Sequence, residues 1–128
     1  MNENLDYLNT ISAEIIDACI EAHKELGPGL LESVYEHCLF IELQNRGIKV
    51  KQQVYLPVIY KEQEIDINFR MDLLVEDEVV VELKAVETIL PIHKAQILTY
   101  LKLADKKLGL LINFNVPLLK QGINRFVN

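Results

Sequence analysis

The sequence contains only two cysteines among its 128 residues, Cys19 and Cys38, and they are isolated within segments of helical patterning. This argues against a disulfide framework and against a cysteine-based zinc site. No apolar run approaches the roughly 20 residues that a membrane-spanning helix needs. The first residues, MNENLDYLN, lack the basic start and the apolar stretch of a signal peptide. We therefore expect a cytoplasmic protein with reduced thiols.

Basic residues are also scarce, and the net charge is −6. This argues against indiscriminate binding of polyanions. Residues 1–84 carry 17 acidic against 7 basic side chains, whereas residues 85–128 carry 2 against 6. The basic C-terminal third either contacts phosphates or is ordinary solvated surface. Length and composition predict a single domain over residues 1–128, without linkers, repeats or low-complexity segments.

Apolar periodicity predicts an α/β fold in which two helices precede a set of strands and a third helix interrupts them. The predicted elements are helices at about 8–26 and 31–46, strands at 50–60, 65–75 and 79–86, a helix at 91–104, and strands at 107–114 and 123–127. Pro57 indicates an edge or a bulge in the first strand, and a break near Asn68 is an alternative for the second. The first helix is capped at residue 9 or 10, and glycines follow both early helices. The strand–helix–strand segment after residue 79 predicts two parallel strands with a right-handed crossover. We expect a mixed sheet with helices on its faces.

A hairpin is predicted over residues 69–86, where two aliphatic runs flank three consecutive acidic residues. If the turn is centred on Asp77, residues equally distant from it pair across the hairpin, and Asp72 lies opposite Glu82 on one face. Lys84 is two residues beyond Glu82 and points the same way. The other face is then apolar and consists of Met71, Leu73, Val75, Val79, Val81 and Leu83.

Two carboxylates this close repel each other unless positive charge offsets them. Two interpretations fit the hairpin equally well. In the first, Lys84 forms a structural ion pair with one of the acids. In the second, a hard divalent cation binds both carboxylates and leaves positions for water and phosphate oxygens, as in metal-dependent phosphodiester hydrolysis. Lys84 would then orient or deprotonate the attacking water, or stabilise charge on the phosphorane.

Asp72, nine intervening residues and Glu82-Leu83-Lys84 resemble the core motif of the PD-(D/E)xK nuclease superfamily, with Met71 where proline is common. Residues 29–35, GLLESVY, resemble the signature of one branch, the GxxExxY proteins. Residues 96–100 resemble the QxxxY element of related nucleases. The resemblance extends over nearly the whole chain. It implies a restriction-endonuclease-like αβββαβ core, with a mixed β-sheet flanked by helices and an extra N-terminal helix.

The resemblance also implies roles for individual residues. The implied catalytic residues are Asp72, Glu82, Lys84, Glu32 and Gln96, and the implied ligands of Mg²⁺ or Mn²⁺ are Asp72, Glu82 and Glu32. Tyr100 and Arg70 are expected to contact the substrate. The expected partner is nucleic acid, with DNA favoured, and a homodimer or a partner protein is an open alternative.

Simpler interpretations stay open for several residues. Glu32, near a helix N-terminus, also interacts favourably with the helix dipole, and Tyr35 suits a core position. Gly29 is expected to supply a backbone conformation that other residues resist. Arg70, which the hairpin register places opposite Lys84, either contacts phosphate or pairs with an acid. His93 shares the helix face of the QxxxY element, and an exposed surface position is expected for it.

Two functions are therefore left. The first is a Mg²⁺- or Mn²⁺-dependent nuclease. The second is a nucleic-acid-binding or protein-interaction module that keeps the nuclease fold without turnover. The complete set of Asp72, Glu82 and Lys84 favours the first, because a site that has lost its catalytic activity has no physical reason to keep two opposed carboxylates. The acidic N-terminal part favours the second, or a nuclease that contacts its substrate through a partner.

Overall fold

The structure, a computed structural model, describes residues 2–128 and the side chains from Leu5 onward. Its elements in chain order are α1 (Asn2–Leu26), α2 (Glu32–Asn45), β1 (Val50–Tyr55), β2 (Val58–Tyr60), β3 (Gln63–Ile65), β4 (Arg70–Val75), β5 (Val79–Lys84), α3 (Pro91–Ala104), β6 (Leu108–Asn113), a 3-10 helix (Leu119–Gly122) and β7 (Ile123–Val127). The predicted α/β class and the final strand are confirmed. Within the described residues, no helix is both long enough and apolar enough to cross a membrane.

Five strands form one mixed sheet in the order β1-β4-β5-β6-β7. Its neighbouring strands are antiparallel except β5 and β6, which are parallel and are connected through α3. The predicted β-α-β unit is thereby confirmed. β2 and β3 pair with each other in a separate two-stranded sheet. This architecture is consistent with a restriction-endonuclease-like fold.

Helices cover both faces of the five-stranded sheet. α1 and α2 pack on the face that carries Leu73 and Val81. α3 packs on the alternate residues Leu74 and Val80, which point the other way. Because both faces are covered, β5 and β6 are buried at every position except Lys84. This explains their nearly continuous apolar sequences.

Two of the predicted strands are divided, and the divisions lie at Pro57 and around the predicted break at Asn68. Residues 50–60 form β1 and β2, with Pro57 between them, and residues 65–75 contain the end of β3 and all of β4. Proline has no N–H to contribute to a strand ladder, so the chain leaves the main sheet there and pairs β2 with β3. The turn between these short strands is confined to Lys61 and Glu62, whose φ angles are +50° and +68°.

The predicted start of the first helix is wrong, whereas the predicted ends of both early helices are confirmed. α1 extends back to Asn2, so the predicted caps at residues 9 and 10 lie inside it. The Thr10 hydroxyl donates to the carbonyl of Asp6 one turn earlier, at 3.0 Å, and is satisfied within the helix. α1 ends at Leu26, and Gly47 follows α2 with φ +75°.

Met71 lies on the opposite face from the one predicted. It packs with Leu74 on the α3 side, whereas the other five predicted residues belong to the cluster under α1 and α2. The alternation of side chains between the two faces of β4 is interrupted at Asp72. This residue has no partner in β1, and the pairing of β4 with β5 ends at Leu73. The irregular point of the sheet is therefore the position of a predicted site residue.

Tyr35 holds the Gly27-Pro28-Gly29 loop that joins α1 to α2. Its hydroxyl donates to the carbonyl of Gly27 and accepts the N–H of Leu30 at 3.1 Å. Its buried ring stacks on Phe114, with centroids 4.4 Å apart. Gly29 has φ +99°, a conformation that residues with a Cβ rarely adopt. The core interpretation of Tyr35 and the conformational role of Gly29 are confirmed.

Tyr35→Phe should lower the free energy of unfolding by about 1–3 kcal/mol, because the polar groups of Gly27 and Leu30 lose their partner in a part-buried loop. Urea denaturation followed by circular dichroism measures the change. Tyr60→Phe is the matched control, since its side chain is 61% exposed. Equal stability of the two variants would show that the hydroxyl of Tyr35 does not hold the loop.

Candidate active site

The β4–β5 hairpin has the predicted register. Val75 pairs with Val79 and Leu73 with Val81, so pairs are equally distant from Asp77. Three residues, 76–78, form the loop, and the N–H of Glu78 donates to the carbonyl of Val75 at 3.0 Å. This register is confirmed, and its continuation places Asp72 opposite Glu82.

At Asp72 and Glu82 the two carboxylates connect the strands. Glu82 Oε2 accepts the backbone N–H of Asp72 at 2.7 Å, and Asp72 Oδ2 accepts the backbone N–H of Leu83 at 2.9 Å. Each acid is thus fixed by the strand opposite its own. The two side chains occupy the same gap between β4 and β5, at the end of the hairpin away from its loop.

The second oxygen of each acid makes no bond of this kind. Within the described residues, no hydrogen bond reaches Asp72 Oδ1 or Glu82 Oε1. Among the same residues, no buried side-chain nitrogen or oxygen lacks a partner, so these two oxygens reach solvent. Carboxylate oxygens are the donors that Mg²⁺ and Mn²⁺ prefer. Asp72 and Glu82 therefore fit a divalent cation.

The surroundings of the two acids disfavour their charged forms. Burial raises the pKa of Glu82 well above its usual range, and the charge of Asp72 raises it further. Burial also raises the pKa of Asp72, against the lowering effect of the hydrogen bond from Leu83. Glu36 raises both pKa values and Lys84 lowers both. Additional positive charge near the pair would favour the charged forms of both acids.

Lys84 is half-buried at the end of β5, close enough to influence both acids electrostatically. The ion pairs within 4.0 Å that the described residues form involve Arg46 and Lys106 and do not include Lys84. The structural ion-pair interpretation therefore lacks the direct contact on which it depends. Lys84 instead lies beside the acid pair without binding either member.

Asn113 fixes the backbone that follows Lys84. It is buried, and its amide donates to the carbonyl of Val86 at 2.8 Å and accepts the N–H of Val86 at 3.0 Å. The N–H of Phe114 donates to the carbonyl of Lys84 at 2.9 Å. Sequence reasoning did not single out Asn113. A polar residue that ends the apolar run LGLLI is the signal that was available.

α2 directs two glutamates toward the hairpin. Glu32, exposed at the start of the helix, accepts the N–H of Ala85 at 3.3 Å. Glu36, one turn later, raises the pKa of both acids, and Glu32 raises that of Asp72. Sequence reasoning missed Glu36, although its spacing from Glu32 placed it on the same helix face. Among the described residues, no three His, Cys, Asp or Glu side chains are grouped closely enough to hold a metal. The structure therefore does not bring Glu32 together with Asp72 and Glu82 as a set of three ligands. A ligand role for Glu32 stays a prediction.

α3 contributes Tyr100 to the surroundings of the acid pair. Burial raises the pKa of Tyr100 to about 12, and Glu82 and Asp72 raise it as well. Its ring also packs edge-to-face against Phe69, with centroids 4.9 Å apart. Gln96 is exposed, and its side chain makes no hydrogen bond to another described residue.

His93 and Arg70 have partners that the sequence did not indicate. His93 is half-buried rather than exposed, and its Nδ1 accepts the N–H of Leu90 at 3.0 Å at the start of α3. The guanidinium of Arg70 donates to the side chain of Asn68 and to the carbonyl of Gln53. Arg70 is exposed and forms no ion pair with an acid among the described residues. A contact of Arg70 with phosphate stays a prediction.

The comparisons with known proteins identify the family. A family model described as the PD-(D/E)XK nuclease superfamily matches residues 9–126, which is nearly the whole chain. This chain belongs to the PD-(D/E)XK nuclease superfamily. The matched range contains Asp72, Glu82 and Lys84. No curated protein and no solved structure matched the chain.

In a member of the PD-(D/E)XK superfamily, this arrangement of two acids and a lysine suits metal-assisted chemistry on a phosphodiester group. The two acids hold hard oxygen donors in the gap between β4 and β5, and Lys84 follows Glu82 by two residues on β5. A divalent cation held there would polarise a phosphodiester group and offset the charge of both acids. Lys84 would add a donor for water or for a phosphoryl oxygen.

Proposed function

We propose that this chain is a divalent-metal-dependent nuclease that hydrolyses phosphodiester bonds of nucleic acid, with DNA as the expected substrate. Within the superfamily we assign it to the GxxExxY branch, on the segment that contains Gly29, Glu32 and Tyr35. The observation that carries the proposal is the gap between β4 and β5, where Asp72 and Glu82 bond to each other's strand and leave one oxygen each accessible.

In this proposal, Asp72 and Glu82 hold Mg²⁺ or Mn²⁺, and Glu32 lies at the margin of the metal environment. The metal supplies Lewis-acid chemistry at the scissile phosphate when it is bound. Lys84 orients the attacking water or donates to a non-bridging phosphoryl oxygen, where negative charge develops. Tyr100 and Arg70 are the proposed substrate contacts, and Gln96 is proposed to lie at the edge of the reaction site.

The distribution of charge supports a second candidate, a nucleic-acid-binding or protein-interaction module without turnover. Most acidic side chains belong to residues 1–84, which include Asp72, Glu82 and Lys84. Like charge would repel a nucleic-acid backbone from that part of the molecule. A nuclease with this charge distribution would approach its substrate through the basic residues after 84, through a second copy or through a partner protein.

A cleavage assay with four substrates tests the proposal: single- and double-stranded DNA and RNA. Each is incubated with the purified chain and Mg²⁺ or Mn²⁺, and with EDTA in parallel. We expect metal-dependent cleavage of DNA and its loss in Asp72→Asn, because the cation loses a charged ligand. The control is Asp6→Asn, an exposed acid of α1. Metal binding without cleavage of any substrate would favour the second candidate.

A further inference from the structure

Glu36 is the best-anchored acid near the hairpin gap. Its Oε2 accepts hydrogen bonds from the amide of Gln52 at 3.0 Å and from the amide of Gln53 at 3.1 Å. Its Oε1 accepts a further bond from Gln53 at 2.9 Å. Glu36 is half-buried, so two neutral amides hold a charged carboxylate that is partly removed from water. Charge-assisted bonds of this kind are stronger than neutral ones.

Two consecutive residues of a regular strand cannot easily reach the same carboxylate, because their side chains point to opposite faces. Gln53 overcomes this with φ +50°, the left-handed region that residues other than glycine seldom adopt. The distortion coincides with an interruption in the pairing of β1 with β4. Gln52 pairs with Leu73 and Val54 pairs with Met71, but Gln53 and Asp72, which lie between these pairs, do not pair with each other. The strained residue of β1 is therefore the one across from Asp72.

Strain of this kind persists where the surrounding structure requires it, and it concentrates at functional sites. Here it brings the second amide to Glu36. The charge of Glu36 in turn acts on both Asp72 and Glu82. The unusual backbone, the two amides and the acid pair thus form one connected arrangement across α2, β1, β4 and β5.

We propose that Glu36 is a positioning residue of the metal site, oriented by the amides of Gln52 and Gln53. This inference rests on the proposed function. Among the described residues, no three acids converge closely enough to hold a metal directly. Glu36 therefore acts on the cation through its charge and through the cation's water ligands. Mg²⁺ characteristically keeps several waters, and groups that bind such waters tune its affinity. A role confined to holding α2 against β1 would leave metal affinity unchanged.

Glu36→Gln tests this with Mn²⁺ as the probe, in titration calorimetry of the full chain. We expect a 10–100-fold loss of Mn²⁺ affinity, the usual range for residues that support a metal site from outside its ligands. The melting temperature without metal is measured in the same samples to confirm folding. Glu78→Gln is the matched control, because it removes the same charge at the exposed loop at the other end of the hairpin.

A second variant, Gln53→Gly, separates positioning from structure. Glycine adopts the left-handed conformation freely, so relief of strain offsets the lost bonds and the melting temperature should change little. The Mn²⁺ affinity should still fall several-fold, because Glu36 loses two of its three hydrogen bonds. Unchanged affinity in both variants would overturn this inference and leave the proposed function standing. Absence of Mn²⁺ binding by the wild-type chain would overturn both.

Discussion

Lys84→Ala should abolish phosphodiester cleavage while the fold and the binding of Mn²⁺ persist. Lys84 makes no ion pair within 4.0 Å among the described residues, so its removal breaks no direct contact with either acid. Loss of a donor aimed at developing charge costs about 10²–10³ in rate, and loss of proton transfer costs about 10²–10⁴. Either loss should lower the cleavage rate by at least about 10²-fold.

The measurements are single-turnover cleavage and Mn²⁺ titration calorimetry on the same preparations. Metal affinity should be equal or slightly higher in the variant, because a positive charge next to the cation has been removed. Lys51→Ala is the control, since Lys51 is an exposed lysine on β1 of the same sheet. Cleavage that survives Lys84→Ala would remove this lysine from the reaction. Loss of metal binding in the variant would instead assign Lys84 to the integrity of the acid pair.

The hairpin was predictable because its signals are local. Three consecutive acids mark the loop, and Asp72 and Glu82 lie at equal distances from Asp77. A shift by one residue would have moved every side chain to the other face. The apolar residues Leu73 and Val81 thus specify the same register as the acids do. Strand pairing and the predicted opposition of the two carboxylates follow from one pattern.

The irregular part of the sheet was not predictable because it depends on distant contacts. Met71 changes face at the point where Glu82 bonds to the backbone of Asp72, an interaction that no local pattern encodes. Gln53 has a left-handed backbone that its residue type does not indicate, and its reason is a carboxylate 17 positions earlier. Pro57 indicated an edge or a bulge, but the separate pairing of β2 with β3 depends on contacts with the rest of the chain.

Millimolar Mn²⁺ or Mg²⁺ should raise the melting temperature of the wild-type chain, and Asp72→Asn should remove most of that effect. A ligand that binds only the folded state at 100 times its Kd adds about 2.7 kcal/mol to the free energy of unfolding, or ~10 °C for a chain of this size. Asparagine can still accept the N–H of Leu83, so the hairpin keeps that bond. Differential scanning fluorimetry with and without metal measures the shift.

The melting temperature, with and without metal, should depend on pH because the pKa values of Asp72 and Glu82 are raised in the folded chain. The folded chain binds more protons than the unfolded chain between the ordinary carboxyl pKa and the raised ones, so the metal-free stability falls as pH rises through that window. Below this pH window the two carboxyl groups are protonated in both the folded and the unfolded chain, and the loss of stability disappears. Metal binds the deprotonated pair, so the metal-induced rise in melting temperature should grow with pH and disappear in acid.

Asp72→Asn removes one of the two ionisations, and it should therefore be more stable than the wild type above this window when no metal is present. Adding metal should reverse the order of the two proteins. Asp6→Asn, which changes an exposed acid of α1, should follow the wild type throughout. A metal-induced shift of equal size in wild type and Asp72→Asn would place the bound cation elsewhere on the chain. The acid pair would then be a strained structural feature rather than a metal site, since its repulsion would have no counterion.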